Sequence, residues 1–194
     1  MALSKYHQKY NDQSDEEIRG KVEAKAQELA AIFQEVGLQT ASDPVRLAVL
    51  GCGDKRFVAQ HKIIFEAVLH RSVEVSTFDI TIDHLEGEPN IFQHDCTMPI
   101  PNSPYDITYA HVLLKFIEPS KQFDLIKNSY DALKIGGIAI HCFDTEEITA
   151  SETQLANGQW AVPLDQYKKR FIELDIEYKE IPIKYGIALV LIRK

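Results

Sequence analysis

The stretch VRLAVLGCGDKRF, from Val45 to Phe57, decides the fold: an aliphatic run stops at Gly51 and Gly53 and passes into a helix-like segment. A short run of β-branched and aliphatic residues reads as a buried parallel strand. Glycine lets the backbone turn tightly and come close to a ligand, and a helix opening just after the turn presents unpaired N–H groups to polar groups. The turn therefore predicts a binding site over the strand's carboxyl end, suited to an adenine nucleoside or another polar ligand.

Working outward, four further apolar runs each end on chemistry. Val73 to Phe78 ends on Asp79, whose carboxylate can accept both hydroxyl hydrogens of a ribose diol. A third run ends near Gln93 and delivers His94-Asp95-Cys96; a fourth, Tyr105 to Ala110, ends on His111; a fifth, Gly137 to Phe143, follows the turn Lys134-Ile135-Gly136-Gly137. Strands alternating with helical segments predict an α/β fold with a doubly wound parallel sheet and a site at the carboxyl ends of its strands. Gly51, Asp79, Asp95 and His111 all fall at such ends. At the carboxyl terminus, Glu177 to Lys184 and Ile187 to Arg193 read as strands joined by Tyr185-Gly186. That link is too short for a parallel crossover, so the pair forms an antiparallel hairpin.

Ahead of the sheet, Ser14-Asp15-Glu16-Glu17 reads as a capping box, and Gly37 as the left-handed stop of the helix it opens. Ile18, Val22, Ala26, Leu29, Ile32, Phe33 and Val36 share one face at helical spacing and predict core. Residues 1–40 are expected to pack as an N-terminal helical segment on a single domain spanning 1–194, a length suited to one sizeable core.

Composition narrows the classes. No segment approaches the roughly 20 apolar residues that span a bilayer, and Met1 to Tyr10 is too polar for a signal peptide, so a cytoplasmic location is expected. Cys52, Cys96 and Cys142 lack metal-type spacing and read as reduced thiols. A net charge of −8 argues against nucleic acid and anionic membranes as partners. The groups Asp83/His84 and His94/Asp95/Cys96 lie in separate loops without helical ligand spacing, and no metal is expected.

Five features, LGCGDKRF, FDI at Asp79, HDCTMPIPNSPYD around Asp95, ITYAHVLLKFIEP and LKIGGIAIHCFD, resemble in their order the class I, Rossmann-like S-adenosylmethionine-dependent methyltransferases, across Val45 to Lys194. The resemblance implies a seven-stranded sheet of order 3-2-1-4-5-7-6, mostly parallel with the terminal hairpin antiparallel, and S-adenosylmethionine as cofactor. It implies that Gly51 and Gly53 pack on the methionine part, Asp79 binds the ribose and Asp95 the adenine amino group, with Cys52, Ile80 and Cys96 completing the cofactor-binding set. It also implies that the segment holding Tyr6 and Tyr10 folds over the cofactor.

The chain departs from that family at Val49, where an acidic residue is usual, and at Lys55, where a third glycine is usual. These departures leave a second reading open: a degenerate module that binds the cofactor or its demethylated product without turnover. A nicotinamide dehydrogenase is disfavoured, because Arg56 occupies the third glycine of the dinucleotide fingerprint and the terminal hairpin suits the methyltransferase sheet.

The acceptor, a small molecule or a protein side chain, is expected among Thr97–Pro104 and Thr145–Pro163, where Trp160 has a large amphipathic ring suited to a pocket wall. Leu164 to Leu174 then reads as the last helix, with Pro163 at its first turn and Tyr167 and Phe171 on one face. Methyl transfer from a sulfonium needs little beyond an aligned nucleophile; where the acceptor carries a proton, His111 is the candidate general base. The apolar hairpin is compatible with an edge that pairs in a homodimer.

Overall fold

The computed structural model describes residues 13–149, 154–155 and 158–194. Tyr6, Tyr10 and Asn157 lie outside the described residues.

Helix α1 spans Asp15–Glu35. Ser14 Oγ accepts the Glu17 N–H at 3.2 Å, and Glu17 Oε2 accepts the Ser14 N–H at 2.7 Å, the reciprocal pair that satisfies two orphan donors. The stop differs from the expected one. Val36, not Gly37, caps the helix in an extended conformation (φ −133°), donating its N–H to Ile32 O at 2.9 Å. Val36 is a buried β-branched residue, so core packing and its own extended preference turn the chain out one residue early.

The sheet has seven strands in the order β3-β2-β1-β4-β5-β7-β6. These are β1 Val45–Leu50, β2 Val73–Asp79, β3 Ile91–Gln93, β4 Tyr105–His111, β5 Leu133–Asp144, β6 Glu177–Ile183 and β7 Gly186–Ile192. Strands β1 to β5 run parallel, and β7 is antiparallel to both β5 and β6. Alternation along the strands builds two cores. Val45, Leu47, Val49, Ile107, Tyr109, Ile138 and Val190 meet Leu29 and Ile32 of α1 and Phe65 of α2 (Arg56–Leu69). Ala48, Leu50, Phe143, Leu189 and Leu191 meet Phe123 of α3 (Pro119–Asp131) and Phe171 of α5 (Leu164–Glu173). Between β5 and α5 lies the short α4, Thr145–Thr149. Pro163 precedes α5 as its N-cap rather than sitting inside the first turn.

Strand β5 begins at Leu133, earlier than the run from Gly137 suggests, because an irregularity in its pairing with β4 absorbs the glycines. A Cβ on Gly137 would stand 2.9 Å from Asp106 O, so only glycine fits the close backbone approach. Asp106 itself is fully buried near the sheet's amino end. Its carboxylate accepts Ser42 Oγ–H at 2.6 Å, Arg46 N–H at 2.7 Å and Lys134 Nζ–H at 3.2 Å. Burial raises its pKa, but the donors outweigh burial and hold it below the usual range. Among the described residues no helix is long and apolar enough to cross a membrane.

Two consequences are measurable. Asp106→Ala removes the acceptor for three donors and is expected to lower unfolding free energy by about 3 kcal/mol in a urea titration; a loss below about 1 kcal/mol would show that water replaces the carboxylate. The second concerns acid. Burial depresses His61 well below its ordinary value, His141 to about 3 and His111 to about 4. The unfolded chain therefore binds more protons than the native one as pH falls below about 6.5, and the stability these neutral imidazoles provide is lost on the way down. Glu147 acts in the opposite sense, because burial pushes it up to about 8, but it is one group against three histidines. The stability is expected to fall by about 1.4 kcal/mol or more between pH 6 and pH 5; a flat profile would mean that the native state takes up the protons.

Candidate functional site

Gly51 leaves β1 with φ +76°, and a Cβ built on it would lie 2.7 Å from Leu113 Cδ1, so both conformation and space demand glycine. Asp79, buried at the end of β2, fixes the turn: Oδ2 accepts the Cys52 N–H at 2.9 Å and Oδ1 the Thr81 N–H at 3.1 Å. His84 closes it from the other side, its Nε2–H donating to Cys52 O at 2.7 Å. Lys55 is exposed and takes ordinary helical angles (φ −57°), so this turn does not need the glycine that the related motif carries there.

The start of α2 is held by Asp54, whose Oδ1 accepts the Arg56 N–H at 2.9 Å while its Oδ2 takes the guanidinium at 2.6 Å. Burial raises the Asp54 carboxyl, but Arg56 holds it below the usual carboxylate range. Arg56 also reaches Gln13 O at 3.0 Å and Asp15 Oδ1 at 3.2 Å, fastening the opening of α1 to the glycine turn. Gly53 lies between these contacts, partly buried.

Beyond β3 the chain returns to the same place. The His94 N–H donates to Asp79 O at 2.8 Å, bringing Asp95 and Cys96 beside Asp79. Asp95 Oδ1 accepts both Thr97 N–H (2.9 Å) and Thr97 Oγ1–H (2.7 Å), and these bonds keep its pKa low. Ile80, next to Asp79, is 63% exposed, and Met98, three residues after Asp95, is 56% exposed, so large apolar side chains stand open close in sequence to the acids. Burial pushes the Cys52 and Cys96 thiols up to about 12, which keeps them protonated and poor nucleophiles.

His111 ends β4 with its Nε2 at 3.5 Å from Glu28 Oε2 of α1. Burial and the nearby Lys25 ammonium outweigh the pull of Glu28, leaving the imidazole neutral at pH 7. Lys25 and Glu28 are residues that sequence reasoning missed. They flank the apolar face of α1 at Val22, Ala26 and Leu29, and both are more than nine-tenths buried. Lys25 Nζ lies 5.3 Å from the Phe57 ring centroid and 5.1 Å from that of Tyr109. A charged pair three residues apart at the edge of an apolar stripe was the only available signal. Among the described residues no three His, Cys, Asp or Glu side chains are placed to hold a metal.

The two segments expected to receive an acceptor are positioned by polar fasteners. Lys115, after β4, pairs with Asp144 at the end of β5. Asp144 and Glu147 bond reciprocally through side chain and backbone at 2.7 and 2.9 Å. Gln122 of α3 donates its amide to the carbonyls of Leu114, Ile117 and Ala161, and accepts Tyr167 O–H at 2.7 Å. Trp160 is partly buried, its N–H donating to Lys115 O at 2.8 Å. Asn128 holds Thr97 O at 2.7 Å. A separate cleft of about 570 Å³, between Glu35, Gln39, Ile135, Lys179 and Arg193, lies at the amino end of β5, the other end of the strands, and contains none of these groups.

No protein-family model matches the sequence, and no curated protein matches it. Solved structures do. An S-adenosylmethionine-dependent methyltransferase from Clostridium acetobutylicum superposes with a TM-score of 0.67 at 11% identity, over 96% of this chain and 98% of that one. The sugar N-methyltransferase KedS8 from Streptoalloteichus gives 0.66 at 12% identity over 100% and 95%. An O-methyltransferase family protein from Burkholderia thailandensis gives 0.60 at 12% identity over 87% of this chain, which spans only 56% of that one's length. Strand order, the antiparallel hairpin and these superpositions establish that the chain has the fold of the class I S-adenosylmethionine-dependent methyltransferases.

Proposed function

We propose that the chain binds S-adenosylmethionine over Gly51 and Asp79 and transfers its methyl group to a small-molecule acceptor by direct in-line displacement. The observation that carries this reading is the Asp79 carboxylate: it sits at the end of β2, bonded to the backbone of a glycine turn that has no room for a Cβ at Gly51. Each carboxylate oxygen has two lone pairs, so Asp79 can hold the turn and still accept a ribose diol. Asp95, one oxygen engaged by Thr97, has the other for an adenine amino group. The open side chains of Ile80 and Met98 offer apolar cover for a flat ring. The Clostridium acetobutylicum neighbour, named as S-adenosylmethionine-dependent, and KedS8, named for sugar N-methylation, support the same cofactor and acceptor class.

When bound, the cofactor supplies an electrophilic methyl group on a sulfonium, and a neutral thioether leaves. The chain's own work is alignment. Leu113 packs over Gly51 at the turn after β4, and the segments pinned by Lys115, Asp144 and Gln122 would form the acceptor wall. His111, neutral at pH 7 and 3.5 Å from Glu28, would serve as the base that takes a proton from a hydroxyl or ammonium acceptor.

S-adenosylmethionine and S-adenosylhomocysteine at about 100 times their dissociation constants are expected to stabilise by about 2.7 kcal/mol and raise the unfolding midpoint by several degrees, with no shift from NAD. Release of S-adenosylhomocysteine with a panel of hydroxyl and amine acceptors then tests transfer; binding without release across the panel would favour a module that holds the nucleoside without turnover. Asp79→Asn is expected to weaken S-adenosylhomocysteine by about 2 kcal/mol in calorimetry, and a change under twofold would place the ribose elsewhere. Gly51→Val is expected to abolish binding and lower the midpoint, because the branch would strike Leu113 in a left-handed backbone.

A further inference from the structure

The tip of the β6–β7 hairpin is fastened at the carboxyl end of β5. Gly186 stands opposite Asp144 in the ladder between β5 and β7, and a Cβ there would strike the Phe143 carbonyl. Tyr185 O accepts the Thr145 N–H at 3.0 Å and the Thr145 Oγ1–H at 3.1 Å. The backbone of the tip is therefore fixed, yet the Tyr185 side chain is 61% exposed. The Lys184 ammonium lies 5.0 Å from the ring centroid, with the Glu28 carboxylate felt at longer range, and steadies the ring without covering it. A tyrosine loses few rotamers on ordering and offers a broad apolar face, so a ring held open in this way is suited to receive another ring.

Next to the tip lies an ion pair that is already balanced. Lys115 and Asp144 neutralise each other, and a quarter of the Asp144 side chain stays exposed. Glu147 is fully buried against Asp144, and burial pushes it up to about 8, so it is mostly protonated at pH 7. The group carries almost no net charge and calls for no charged ligand. It does keep hydrogen-bonding capacity: the Asp144 carboxylate has lone pairs beyond those taken by Lys115 and the Glu147 N–H, and Lys115 gives Asp144 one of its three ammonium protons. A carboxylate beside an ammonium fits hydroxyl groups, which both donate and accept.

We infer that the methyl acceptor is a saturated, hydroxyl-bearing ring of the pyranose kind, its C–H face on Tyr185 and its hydroxyls on Asp144 and Lys115. The inference rests on the methyl transfer proposed above and names the class of acceptor. Asp144 lies two residues beyond Cys142, the ladder partner of His111, which is roughly 7 Å along the strand, so a ring bound there sits beside the candidate base. An aromatic face sets the plane of such a ring and the ion pair selects its hydroxyls, with no charge on the ligand required.

The test is a ligand-observed NMR titration of the full chain saturated with S-adenosylhomocysteine. The probes are the methyl glycosides of glucose, galactose and mannose, with cyclohexanol as a ring bearing one hydroxyl and benzoate as a flat charged ring. At least one glycoside is expected to bind about 10-fold more tightly than cyclohexanol or benzoate, and Tyr185→Ala to weaken it about 10-fold while S-adenosylhomocysteine stays within twofold. Asp144→Asn is expected to weaken the glycoside likewise, and the exposed Tyr185 decides the matter if that variant does not fold. Cyclohexanol or benzoate binding as tightly as the best glycoside, a glycoside unaffected by Tyr185→Ala, or no binding of any glycoside beside bound S-adenosylhomocysteine would each overturn the inference and leave the cofactor reading standing. Failure of S-adenosylhomocysteine itself to bind would overturn both.

Discussion

The Asp79 carboxylate is the point on which the site depends. It accepts one backbone N–H from the turn after β1 and another from the turn after β2, while its own carbonyl receives the chain returning after β3. Parallel strands need long crossovers, so their carboxyl ends are far apart in sequence and have no local reason to agree in position. One buried residue whose carboxylate holds two of those ends and whose carbonyl holds the third supplies that reason, since each loop that moved away would leave an acceptor unpaired. The meeting point of these loops, the candidate site, is thus set by one residue.

Much of the fold was legible because burial imposes simple patterns. The fully covered strands β1 and β4 are continuous apolar runs, and the reciprocal bonds at Ser14 and Glu17 follow from a local motif. The hairpin was readable because Tyr185-Gly186 permits no other connection. The misreadings share a cause: tertiary packing overrode a local signal. Gly37 carries the preference for a helix stop, but the buried Val36 sets the exit. The start of β5 was hidden because glycines usually mark a turn, and here they mark an irregularity against Asp106.

The candidate site was half legible, for a similar reason, as a set of neighbouring residues. Gly51, Asp79 and Asp95 are visible from strand ends alone, since topology brings such ends together whatever the helices do. Lys25 and Glu28 were not, because charged residues beside an apolar stripe normally face water. What buries them is the packing of α1 across α2 and β4, a contact that no periodicity encodes. At Lys55 the backbone is helical and the side chain exposed, so the missing glycine puts no strain on the turn itself.

Gln122 carries a consequence of a different kind. Its single amide fastens the turn after β4 and the far end of the long segment after β5, and its oxygen is tied to Tyr167 of the last helix. The segments proposed to receive the acceptor are therefore anchored from the floor beneath them rather than by their own sequence. With the frame held by one side chain, substitutions along those segments that spare the carbonyls of Leu114, Ile117 and Ala161 would leave that frame in place.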